Sequence, residues 1–106
     1  MSVYHTLQWN FNELPELVLK VAKDTQTVLQ EYIDAGHTDA EDGYWVPHCQ
    51  DLMPKSGLRV RYRRWKSIEH CQEYVDKINC LRSTDPIKQL ILSEAKVHND
   101  NQFNPT

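Results

Sequence analysis

The chain has 106 residues, 40% of them hydrophobic and 25% charged, enough apolar material for one ordinary domain and too much for a disordered chain. Twelve basic against fifteen acidic residues leave a net charge of −3, which argues against a nucleic-acid binder built on overall positive charge. No run of about 18 apolar residues offers a membrane span, and Met1 to Gln8 lacks the basic start and apolar middle of a secretory signal, so a cytoplasmic location is expected.

The chain opens on alternation. In VYHTLQWNF (3–11), Val3, His5, Leu7, Trp9 and Phe11 fall on one side and Tyr4, Thr6, Gln8 and Asn10 on the other, the mark of a half-buried strand. Asn12 then offers an N-cap and Pro15 is tolerated in a first helical turn. From Leu14 the period changes to threes and fours through Leu17, Val18, Val21, Ala22, Thr25, Val28, Leu29, Tyr32 and Ile33, which predicts a long amphipathic helix. Gly36 closes it as a left-handed residue.

His37 to Gly43 is acidic and turn-like. Tyr44 to Gln50 reads as a second strand that Pro47 confines to an edge or a bulge, and Met53 to Gly57 carries turn chemistry. The third strand, Leu58 to Trp65, is clearer: Leu58, Val60 and Tyr62 point one way, and Arg59, Arg61, Arg63 and Trp65 the other. Ser67 caps a second helix whose buried face is Ile68, Cys71, Tyr74, Val75 and Ile78. Pro86 breaks that helix, Ile87 to Val97 gives a final strand, and the polar end frays. One domain over 1–98 with a flexible polar tail over 99–106 follows.

The order β-α-β-β-α-β matches the split βαβ arrangement, an α+β fold. Right-handed crossovers put both helices on one face of a four-stranded antiparallel sheet. The other face stays open, and the expectation is that Tyr4, Thr6, Gln8 and Asn10 share it with Arg59, Arg61, Arg63 and Trp65. His5, Trp9 and Tyr62 are then expected to face the helices, with Tyr74 facing back.

The junction Arg63-Arg64-Trp65-Lys66-Ser67-Ile68-Glu69, in which a strand ends in Trp and a short polar step leads to Ser and a helix, resembles that of the antibiotic-biosynthesis-monooxygenase-like proteins. The long helix closed by Ala35-Gly36 and the trailing strand Leu90 to Val97 sit where that family has them. The resemblance spans about 90 residues in element order and rests on the Trp-x-Ser junction. It implies a ferredoxin-like subunit that pairs as a dimeric α/β barrel, with small-molecule chemistry in a pocket between sheet and helices, often oxygenation without metal or flavin. The haem-degrading branch uses an Asn on the first strand and a Trp and a His on the second helix. Asn10 stands in for the first, but Tyr74 lies near the Trp position and no His follows it in that helix.

Cofactor-independent oxygenation needs an aromatic enclosure and a polar group that eases a proton away. His5 is the candidate for that polar or proton-accepting role, with Trp9, Tyr62 and Tyr74 as walls, Asn10 as a binding residue and Arg61 as an anion anchor. The arginine stripe attracts carboxylates or phosphates, or is solvated, or stacks single-stranded RNA, which the acidic composition disfavours. His48-Cys49 and His70-Cys71 look like metal ligands, but adjacent residues diverge on strand and helix alike, so neither pair chelates alone. Three cysteines without a close pair read as reduced thiols, and three glycines leave no phosphate loop or nucleophile elbow.

Two functions follow. The first is a homodimeric monooxygenase-like enzyme or binder of a small aromatic molecule, with no cofactor and no metal. The second is a non-catalytic dimer whose basic sheet face binds a protein or an anionic ligand.

Overall fold

Alternation makes Val3–Asn10 strand β1, and the switch to a 3.6-residue rhythm makes Pro15–Asp34 helix α1. The computed structural model describes residues 3–38, 43–45 and 58–99. Its remaining elements are β2 (Gly43–Trp45), β3 (Leu58–Trp65), α2 (Ile68–Ser83), α3 (Pro86–Ile91) and β4 (Leu92–Asn99). β1 is central and antiparallel to both β3 and β4. The three-residue β2 pairs along the outer edge of β3, giving the order β2-β3-β1-β4. Among the described residues no helix is long and apolar enough to cross a membrane.

One core joins the sheet to its helices. β1 contributes Val3, Leu7 and Trp9, α1 contributes Val21, Leu29 and Tyr32, and α2 contributes Cys71, Tyr74, Val75 and Ile78. The expected stripes therefore form, except at their ends, where Phe11, Leu14 and Ile68 are exposed. A terminal residue has neighbours on one side only, so periodicity overstates its burial.

The helix boundaries follow from local chemistry. Asn12 does not cap α1; its backbone N–H donates to Asn10 Oδ1 at 3.1 Å, so the chain enters the helix through a turn closed by Asn10. Leu14 precedes the helix without a side-chain cap, and Pro15 takes the first position, where its missing N–H is no loss. At the other end Gly36 has φ 80°. There Gly36 N–H donates to Ile33 O and His37 N–H to Tyr32 O, at 3.0 and 2.9 Å, the paired closure that a left-handed glycine allows. Ser67 Oγ accepts from His70 N at 3.2 Å and caps α2 as expected.

Ile87 to Val97 is not all strand. Pro86 opens the short helix α3, which Asp85 caps by accepting from Ile87 N at 3.0 Å. Lys88 then pairs with Asp24 of α1 and with Asp85, each at 3.1 Å. The strand starts only at Leu92, and it runs on past residue 98, with Tyr4 opposite His98 and Val3 opposite Asn99. His98 and Asn99 thus belong to the sheet; the rest of the expected tail lies outside the described residues. Of the expected second strand, Tyr44 and Trp45 pair with β3 and residues 46–50 lie outside the described residues, as does the turn at Met53–Gly57.

The largest correction concerns the faces of the sheet. Directly opposed residues of an antiparallel pair share a face. The register sets Val3 opposite Trp65, His5 opposite Arg63, Leu7 opposite Arg61 and Trp9 opposite Arg59. The arginine stripe and Trp65 therefore belong with the core residues of β1, on the helix side. Tyr62 lies opposite Thr6, on the uncovered face. Its ring meets Tyr4 edge-on, with centroids 6.1 Å apart.

Candidate functional site

On the helix side, between β1, β3 and the helices, lies a small cavity of about 50 Å³ that opens to solvent. Its apolar floor is Leu7 of β1 with Ala22 and Leu29 of α1. Thr25 and Gln26 add polar atoms that are already engaged within α1: Thr25 Oγ1 donates to Val21 O at 2.8 Å and Gln26 Nε2 to Gln30 Oε1 at 3.1 Å. The remaining wall carries the chemistry: His5 and Trp9 from β1, Arg61 and Arg63 from β3, and Tyr74 from α2. Among the described lining residues there is no aspartate or glutamate.

At one end of this wall the groups are locked together. Trp65 Nε1 donates to His5 Nδ1 at 2.6 Å. An indole N–H can only donate, so Nδ1 is an acceptor and a neutral His5 carries its hydrogen on Nε2. Burial, helped by the charges of Arg63 and His98, pushes the His5 imidazole down to about 3. Tyr74 is fully buried beside it, with ring centroids 5.0 Å apart. Tyr74 also packs on Trp65 and Tyr32 at 5.4 and 5.9 Å. Tyr32 fastens α1 to α2 by donating from its hydroxyl to Glu73 Oε1 at 2.7 Å.

At the other end Trp9 is only 4% exposed, yet its Nε1 has no hydrogen-bond partner. A one-residue register shift between β1 and β4 falls at this position: Gln8 lies opposite Glu94, but Trp9 lies opposite Leu92. Such bulges bend a strand and re-aim its side chains. Arg61 is half-buried and Arg63 only 5% exposed, so both guanidinium groups sit where the surrounding dielectric is low and charge interactions are strong.

The structure thus brings together His5, Trp9, Tyr74 and Arg61 and adds Arg63, which the sequence pattern places in the arginine stripe without singling it out for the site. Tyr62 is at the lining too, but with its ring against Tyr4 on the far face it is not the expected wall. Asn10 stands apart: its Oδ1 accepts from Asn12 N–H and its Nδ2 donates to Glu13 Oε1 at 3.4 Å. Its work is the turn into α1. His5 keeps its place in the site but changes role, because the nitrogen with a free lone pair is already taken by Trp65. With Nδ1 accepting from Trp65, the hydrogen of a neutral His5 is on Nε2.

Of the suspected metal pairs, His70-Cys71 lies among the described residues. His70 stacks on His37, with ring centroids 3.5 Å apart, and contacts Ser67 Oγ through Nδ1 at 2.7 Å. Burial pushes the Cys71 thiol up to about 12, which keeps it protonated and a poor ligand. His48 and Cys49 lie outside the described residues. Among the described residues, no group of three or more His, Cys, Asp or Glu is arranged to hold a metal ion.

No protein-family model and no curated protein matches the sequence. Among solved structures, the chain is similar to a hypothetical protein of Arabidopsis thaliana determined in solution. The two are 16% identical, with a TM-score of 0.54, over 98% of this chain and 88% of that one. At that identity the likeness is one of fold: a mixed α+β chain with antiparallel strands and helices.

Proposed function

We propose that this chain is a ferredoxin-like β-α-β-β-α-β unit that binds a small aromatic molecule in the cavity between its sheet and its helices. The observation that carries this reading is the composition of one wall. Aromatic rings (Trp9, Tyr74) and hydrogen-bond donors (His5, Arg61) line a small space, open to solvent at its mouth, over an aliphatic floor. Of the two versions, enzyme and binder, the geometry favours the binder. Oxygenation of a phenol needs a group that accepts its proton, and the described lining offers no carboxylate and no free imidazole lone pair. The basic-face alternative is less well supported, because the register sets Arg61 and Arg63 opposite the core residues Leu7 and His5 of β1.

The uncovered face, with half-buried Tyr4, Val60 and Tyr62, supports pairing with a second copy of the chain. Sedimentation should then give twice the monomer mass of 12.5 kDa, and Tyr62→Glu should return the monomer.

The function is tested by thermal melting with phenol, hydroquinone, naphthol and benzoate. A ligand present at a hundred times its Kd stabilises the native state by about 2.7 kcal/mol, an upward shift of several degrees for a chain this size. Ala22→Phe, which fills the floor, should abolish the shift. If no member of the panel raises Tm, the cavity is not a ligand site. Oxygen uptake with hydroquinone, measured without added cofactor, would restore the enzymatic version.

A further inference from the structure

The cavity wall is unusual in being made of donors. Arg61 and Arg63 stand two residues apart on the same side of β3, Trp9 and His5 face them from β1, and none of the described lining residues is acidic. The two arginines make other contacts as well, but they remain cationic in every protonation state a protein reaches. The Trp9 indole N–H is buried and has no acceptor, and a buried donor left unmet is rare in a native structure. His5, with Nδ1 filled by Trp65, offers only its Nε2 hydrogen. A neutral hydrocarbon ring placed in this space would leave the indole donor unmet, which is unfavourable.

We infer that the ligand of this cavity is an anion, specifically a small aromatic carboxylate, with its carboxylate taken by Arg61 and Arg63 and by the Trp9 indole N–H, and its ring against Tyr74 over Leu7 and Leu29. This rests on the reading that the cavity binds a small aromatic molecule, and it names the charge and group by which that molecule is recognised. A carboxylate suits the donors because it is planar and singly charged, and it takes paired N–H groups from a guanidinium fork. The aliphatic floor accepts the ring, which the arginines do not address.

The test compares benzoate with benzamide, which have the same shape but differ in charge, by titration calorimetry on the intact chain. Benzoate should bind about tenfold more tightly or better, the margin of a charge-assisted over a neutral hydrogen bond. Arg61→Gln should erase that margin, weakening benzoate by about tenfold more than it weakens benzamide. Raising NaCl from about 50 to 500 mM should weaken benzoate and leave benzamide unchanged; this needs no variant and holds even if Arg61→Gln fails to fold. Equal affinity for the two compounds, or a margin that survives in Arg61→Gln, overturns the carboxylate assignment and leaves the aromatic cavity standing. If neither compound binds, the cavity reading falls and this inference falls with it.

Discussion

Two tryptophans on the same side of the sheet are buried almost equally, and they end differently. Trp65, at the last position of β3, gives its indole hydrogen to His5 and packs its ring against Tyr32 and Tyr74. Trp9, near the far end of β1, gives its hydrogen to nothing in the chain. Around Trp65 the polar group is met and the rings are closed, which is what a structural core requires. Around Trp9 a donor, two arginines and an open volume coincide. The lesson is that burial does not separate scaffold from site here; satisfaction does. In the reading proposed above, the bonded Trp65 N–H holds the fold and the Trp9 N–H is where a ligand would supply an acceptor.

Several measurements break or sharpen that contrast. The largest effect is expected at the ring that closes the satisfied end. Tyr74→Ala should cost about 3–5 kcal/mol, as large aromatic truncations in a packed core do, read as the loss of denaturation midpoint. Next, Trp65→Phe should cost roughly 2–4 kcal/mol, because it removes ring area and also leaves the buried His5 Nδ1 without its donor. Trp9→Phe should cost about 1–2 kcal/mol less than that, since it removes a donor that had no partner. Equal costs would erase the contrast.

His5 gives the pH test. Its folded imidazole is held at about 3, by burial first and by Arg63 and His98 after it, against about 6.5 in an unfolded chain. Above the unfolded value both states are neutral and the full stability is present. As pH falls from about 6.5 toward 3, only the unfolded chain takes the proton, so stability drops by up to about 1.4 kcal/mol per pH unit. His5→Gln should flatten the Tm profile in that window. An unchanged slope would mean that burial does not hold His5 neutral in the folded chain. The smallest effect belongs outside both regions, at Gly36, where φ is 80° and an added Cβ would meet no atom within 4 Å. Gly36→Ala should therefore cost only the left-handed backbone penalty, about 1 kcal/mol.

Much of the scaffold was legible in residue pattern. The stripe from Leu17 to Ile33, the cap at Ser67 and the closing role of Gly36 follow from periodicity and local sterics, and all three are where those signals lie. Pro86 was read as a stop, although the same residue after Asp85 is also a capped helix start; a six-residue helix is too short for periodicity to show. The site was half legible. Alternation sorts the side chains of each strand into two sets but does not say which set of β3 shares a face with which set of β1. Hydropathy pairs arginines with the polar set of β1, and the register pairs them with the core set. Trp65 was the available clue: a large aromatic in the arginine set belongs on a buried side, and following it would have brought Arg61 and Arg63 to His5 and Trp9. The hydrogen bond that decides the role of His5 links residues 60 apart, a separation that carries no local signal.

The unmet indole is directly observable. In a ¹H–¹⁵N spectrum the chain shows three indole N–H resonances, one for each of its three tryptophans, assignable by Trp→Phe substitution. Titration with benzoate should move the Trp9 resonance downfield as its hydrogen gains an acceptor, while that of Trp65, already bonded to His5, stays in place. If the Trp9 resonance does not respond at saturating benzoate, or if Trp65 responds in its stead, the division between a satisfied scaffold end and an open ligand end is wrong.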